Sequence, residues 1–265
     1  MKVFTKSCYG GLMAASLLMA TAANAQGSKL PYYGDESDKV PDAPVQADSK
    51  KSVKTGAAFF RVLHTIPGGP NVDVYVDGKK TLSNIGFKTF SDYLQIANGE
   101  HTIAVHETGK TEPLVKETKL FGGQTYATIG IVYNAGKLAL YAQNESSGGM
   151  TKGKARIRLY QLAPATPLVE FTLPSKVVNA KTNATEVRYA RLFDKPFGYK
   201  SGQSRLISPG IYTLQVRHDV TGDVLKEITG ITFEDGKRYS VFLLGKANGT
   251  DNQALDIVVG PVFNK

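Results

Sequence analysis

Val72, Val74 and Val76 alternate with Asp73, Tyr75 and Asp77, a period of two that gives one apolar and one polar face and predicts a β-strand. Pro67-Gly68-Gly69-Pro70 bends the chain before it, and Asp77-Gly78 follows it with the positive φ that a tight hairpin turn requires. The same alternation begins at Ala58-Phe59-Phe60-Arg61-Val62-Leu63-His64 and returns at Asp92–Ile96, Thr102–Val105, Leu114–Leu120, Tyr126–Val132 and Leu138–Tyr141. Asn98-Gly99, Gly122-Gly123 and Asn134-Ala135-Gly136 separate these runs. About seven short strands with turns every ~8–12 residues predict an all-β, antiparallel, Ig-like β-sandwich. After the first 25 residues no stretch carries a helical period.

The pattern then repeats. Pro164 and Pro167 answer Pro67 and Pro70, Pro209-Gly210-Ile211-Tyr212 answers the Asn98-Gly99 turn, and Gly236-Lys237-Arg238-Tyr239 answers Gly123-Gln124-Thr125-Tyr126. The offsets are about 97, 111 and 113 residues, which predicts a second sandwich carrying an insertion of roughly 14 residues. Two tandem sandwiches are therefore expected, at residues 56–145 and 154–265, with residues 146–153 as linker and the insertion near 177–204. A chain of 265 residues accommodates two domains of roughly 100 residues each.

Residues 1–25 read as a secretory signal: Lys2 and Lys6 open it, Gly10 to Ala20 form a short apolar core, and Ala23-Asn24-Ala25 offers small residues for cleavage. Cys8, the only cysteine, lies in that segment, so disulfides, thiol chemistry and cysteine-held metals are excluded from the exported chain. The apolar run is too short to span a membrane. Residues 26–55 are polar and proline-punctuated, and are expected to be a disordered leader. Within it Tyr32-Tyr33 is a candidate partner-docking motif. The formal charge of +9 falls to about +7 without Lys2 and Lys6, a balance suited to acidic polymers. Nothing resembles a nucleic-acid-binding motif, and a periplasmic or secreted location is expected.

The run His64-x-x-Pro67-x-x-Pro70-x-Val72-Asp73-Val74-Tyr75-Val76-Asp77-Gly78 resembles the signature of a family of secreted bacterial tandem β-sandwich domains of unknown function. Ser91-Asp92-Tyr93 and the Gly-x-His-Thr turn at Gly99 to Thr102 also fit that pattern. In the second unit Gln161 stands at the histidine position and Leu173-Pro174 replaces Asp-Gly. The resemblance implies a fold and no activity. Tyr33-Gly34, Phe59-Phe60-Arg61-Val62 and Pro209-Gly210-Ile211-Tyr212 are similar, in order, to the periplasmic accessory protein of alginate O-acetylation. That likeness implies a non-catalytic helper in acetylating an exported polysaccharide.

Candidate chemistry is sparse. His101 and His106 are five apart and point to opposite faces of a regular strand, so no metal site is expected. Asp73 and Asp77 share a face at a separation of about 13 Å, beyond the roughly 5–9.5 Å of paired glycosidase carboxylates; they are expected on the solvated face and in the turn. No nucleophile elbow, phosphate loop or dinucleotide fingerprint occurs, and no cofactor is expected. Exposed aromatics bind sugars by stacking on pyranose C–H faces, which makes Tyr75, Tyr93, Tyr189 and Tyr199 candidates. Arg188 and Arg191, beside Tyr189 in the insertion, are candidates for gripping an acidic sugar by bidentate hydrogen bonds. The expectation is a non-catalytic exported binder of the cell envelope, its partner an anionic polysaccharide or an envelope protein; the alternative is the O-acetylation accessory role.

Overall fold

The computed structural model describes residues 56–123, 125–178, 181 and 183–262. The expected signal, the leader and Tyr32-Tyr33 lie outside them. All described residues belong to one unit, Tyr32–Lys265. The first half supplies β1 (Ala57–Leu63), β2 (Val72–Val76), β3 (Lys79–Ile85), β4 (Leu94–Ala97), β5 (Gly99–Glu107), β6 (Pro113–Phe121), β7 (Tyr126–Asn134) and β8 (Lys137–Asn144). The second supplies β9 (Ala155–Gln161), β10 (Val169–Val178), β11 (Thr185–Arg191), β12 (Ser201–Ile207), β13 (Gly210–His218), β14 (Val224–Phe233), β15 (Arg238–Leu244) and β16 (Asp256–Val262). A single 3-10 turn at Asp251–Gln253 is the only helical element among the described residues.

Each half is a sandwich of two four-stranded sheets, β4-β1-β7-β8 on β3-β2-β5-β6 and β12-β9-β15-β16 on β11-β10-β13-β14. The two strand orders are the same when eight is added to each label, so the sequence repeat is a repeat of topology. The pairing is antiparallel with one exception per sandwich: β1 runs parallel to β7, Phe59 opposite Tyr126, and β9 parallel to β15, Arg238 opposite Arg156. Alternation on β1 sends Ala58, Phe60 and Val62 into the first core. Ala155, Ile157 and Leu159 of β9 enter the second.

The other face of these strands is covered too. Every residue of β9 is buried, including Arg156 and Arg158, each 1 % exposed. Leu63 and Val132 from the first sandwich cluster with Tyr160, Leu162, Phe242 and Leu244 from the second, flanked by Phe90, Tyr141 and Tyr199. The two parallel-pair sheets thus pack face to face, giving four β layers and a third core. At roughly 1.5–3 kcal/mol for each fully buried large apolar side chain, this seam is part of the folding core. Two glycines admit it: a Cβ on Gly260 would lie 2.9 Å from Arg61 Nη1 and Phe90 Cε2, and one on Gly130 would lie 3.1 Å from Leu162 Cδ1.

Candidate functional site

The residues of the His64–Gly78 run have structural roles. His64 is buried; its Nε2 lies 2.8 Å from the Pro70 carbonyl and its Nδ1 accepts from the Ile66 amide at 3.2 Å. A carbonyl only accepts, so Nε2 carries the proton, and the neutral ring pins both ends of the Pro-Gly-Gly-Pro loop. Burial holds its pKa below the ordinary 6.5, against hydrogen bonding that raises it. In the second sandwich Gln161 does half of this job, its Oε1 accepting from the Ala163 amide at 2.6 Å.

Asp73 corrects the expectation of a solvated carboxylate: it is 1 % exposed. It accepts from the Asn84 amide at 2.9 Å and Thr108 Oγ1 at 3.1 Å, and Lys80 Nζ sits 2.5 Å away. Burial pushes its pKa up, but these hydrogen bonds outweigh that and hold it below the ordinary value. Asp77 does occupy the turn, at φ 49° with Gly78 at 81°, and accepts from the Thr102 amide at 2.9 Å.

Tyr93 and Tyr199 are drawn into the seam between the sandwiches. Arg61 Nη2 pairs with Glu145 Oε1 at 2.8 Å, with the Glu145 side chain fully buried. Tyr93 donates to Glu145 Oε2 at 2.5 Å, and the guanidinium lies over the Phe90 and Tyr93 rings at 4.1 and 4.8 Å. Burial and the neighbouring Glu145 charge push the Tyr93 phenol up. Arg61 also donates to Thr128 Oγ1 at 2.9 Å and across the seam to the Pro261 carbonyl at 3.1 Å. The Tyr199 hydroxyl accepts from the Tyr133 amide at 2.9 Å, again bridging the sandwiches.

Three arginines then grip the connecting segment by its carbonyls. Arg158 donates to Glu145 O, Arg238 to Ser147 O at 3.1 Å and Gly148 O at 2.9 Å, and Arg156 to Gly149 O at 2.9 Å. Asn144 Oδ1 caps the Ser146 and Ser147 amides from the other side. Burial pushes Arg158 down to about 10, so it stays charged at neutral pH. Gly148-Gly149, which lies in the expected linker, is clamped.

Tyr75 stays on the outward face of the first sandwich, half-exposed, its ring 4.3 Å from that of His106. The remaining candidates converge on the outer sheet of the second. There Val169, Phe171, Leu214 and Val216 face the core, so Glu170, Thr172, Gln215 and Arg217, adjacent in register, face out with Tyr189 and Arg191 of β11. Arg217 lies on the Tyr189 ring, 3.9 Å from its centroid, and donates to Gln215 Oε1 at 3.1 Å. Gln215 in turn donates to Glu227 Oε2 at 2.5 Å. Arg191 pairs with Glu170 at 2.6 Å. Arg188 points to the opposite face of β11, 3.8 Å from Glu186. Of nine exposed large hydrophobic side chains among the described residues, seven (Leu168, Val178, Val187, Tyr189, Ile211, Val220 and Val224) lie on this sheet or in the loops bordering it. Tyr189 and Arg191 were candidates from the sequence; Arg217, which lies 28 residues from Tyr189 in the chain, was not among them.

No curated protein matches this chain. A candidate cell adhesion protein of Bacteroides uniformis ATCC 8492 aligns over 78 % of this chain and 98 % of its own, at 8 % identity and a TM-score of 0.25. A streptococcal virulence factor that binds α-glucan aligns over 76 % and 95 %, at 13 % identity and a TM-score of 0.23. In sequence, residues 58–172 match the family described as a domain of unknown function, DUF4397, a span that covers the first sandwich and reaches into β10 of the second.

Proposed function

We propose that the protein is a non-catalytic, exported binding protein of the cell envelope, and that it holds an acidic polysaccharide on the outer β11-β10-β13-β14 sheet. The observation that carries this reading is the exposed Tyr189 ring with the half-buried Arg217 guanidinium over it, on the sheet where most exposed apolar side chains gather. An apolar surface with a few fixed polar groups is what a sugar chain requires: rings stack on aromatic and aliphatic side chains, and a guanidinium accepts a carboxylate bidentately. Gln215 and the Tyr189 ring hold Arg217 in place before any ligand arrives, which lowers the ordering cost of binding. The chain's positive charge draws an anionic polymer to it.

Isothermal titration of the exported chain with a soluble polyuronate and with a neutral glucan tests this. The polyuronate should bind with an affinity that falls as salt rises, and the neutral glucan should bind far more weakly. Equal binding of both, or binding indifferent to Arg217→Ala and Tyr189→Ala, would sink it.

A further inference from the structure

Strand β11 ends its sheet, and an open edge is a template for another strand unless something blunts it. The other edges of the molecule are blunted. Register breaks interrupt the pairing of β3, β6 and β14, and β3 opens with Lys79-Lys80. Strand β4 has four residues and β16 contains Pro261. Glu117 Oε1 accepts from the Leu140 amide on the flank of β8. Residues Leu192 and Lys195 cover β12, accepting from Arg205 and Gln203. Strand β11 carries neither a register break nor a proline: it pairs with β10 in unbroken register from Arg191 to Thr185, and its edge charges are of both signs, Glu186 beside Arg188 and Arg191. Among the described residues, β10 beyond Thr172 has β11 as its only strand partner, so the pair projects as a two-stranded ribbon, which is marginal in water without a further strand.

We infer that β11 pairs antiparallel with β11 of a second copy of this chain, about a two-fold axis through Val187. The sequence Thr185-Glu186-Val187-Arg188-Tyr189 is complementary to itself in that register. Glu186 of one copy stands opposite Arg188 of the other, twice; Val187 meets Val187; Thr185 meets Tyr189. Centring on Arg188 instead would set Arg188 against Arg188, and like charges directly opposite are unfavourable. Val187 and Tyr189, 48 % and 41 % exposed, gain cover from the match. The axis is perpendicular to the sheet, so two four-stranded sheets become one of eight strands, with both Tyr189–Arg217 pairs on the same side. The contact is isologous and closed, which ends assembly at the dimer.

Sedimentation equilibrium of the exported chain from about 5 to 500 µM, a range chosen for a small interface, tests the inference. The wild-type chain should follow a monomer–dimer equilibrium. Glu186→Arg and Arg188→Glu should each weaken it by about tenfold, since each turns two attractive cross-strand pairs repulsive. The double variant, Glu186→Arg with Arg188→Glu, restores opposite charges and should return to within about threefold of wild type. Both positions are at the surface, and circular dichroism confirms that each variant folds. A monomer throughout the range would overturn the inference and leave the edge to a strand from another protein. A dimer that ignores the single reversals, or that the double variant fails to restore, would overturn it equally.

Discussion

Replacing Glu145 by Gln removes one charge from the seam and almost no volume. The carboxylate it replaces is fully buried, 2.8 Å from Arg61 and 2.5 Å from the Tyr93 hydroxyl. The amide can still accept one hydrogen bond, but Arg61, 5 % exposed, is left as a buried cation with no counter-ion. Breaking a buried pair from one side costs about 3–5 kcal/mol, a large fraction of the roughly 5–15 kcal/mol of a typical domain. Removing both charges, Arg61→Met with Glu145→Gln, should recover part of that loss, because the desolvation cost leaves with the pair. The chain has no tryptophan, so unfolding in urea is best followed by circular dichroism. Glu145→Gln should lower the midpoint of a single transition with its slope unchanged. A loss below about 1 kcal/mol, as a solvated surface pair would give, would refute the reasoning. So would two separate transitions, of which only the first sandwich's moved.

Other consequences follow from the same contacts. His64→Gln should be tolerated, because Gln161 accepts the equivalent amide bond, whereas His64→Ala should cost about 1–3 kcal/mol by orphaning the Ile66 amide and Pro70 carbonyl; urea titration separates the two. The folded His64 has a lowered pKa, so its contribution is complete above the unfolded value near 6.5 and is lost as pH falls below it, when only the unfolded chain takes up the proton. Comparing wild type with His64→Gln at about pH 7.5 and about pH 5 should show the extra acid sensitivity in wild type alone. Gly260→Ala places a Cβ 2.9 Å from Arg61 and Phe90 and should cost about 1–3 kcal/mol by overpacking, whereas Gly149→Ala, with open space around it, should cost far less.

The strands were legible wherever one face was greasy and the other polar, as in β2, and the repeat of topology was legible from its punctuating prolines and glycines. Strand β3 was not, because Lys-Lys-Thr-Leu-Ser-Asn-Ile is an edge strand that buries little and so carries little period. The seam was hidden by the same logic. Arg156, Arg158 and Tyr160 alternate with Ala155, Ile157 and Leu159 as a solvated face would, yet a second sheet covers them. One signal was available: Thr128-Ile129-Gly130-Ile131-Val132 and Val241-Phe242-Leu243-Leu244 are nearly unbroken apolar runs, the mark of strands covered on both faces. Tyr93 and Tyr199 could not be told from surface tyrosines, since their place depends on how the sandwiches meet. Arg217 was overlooked because its ring partner comes from a different hairpin.

The most direct test of the account is hydrogen exchange of the protein with and without a soluble polyuronate. Binding on the outer sheet of the second sandwich predicts added protection at β10, β11 and β13, centred on Tyr189, Thr172 and Arg217, with the first sandwich unchanged. Protection confined to the first sandwich, around Tyr75 and His106, would contradict it.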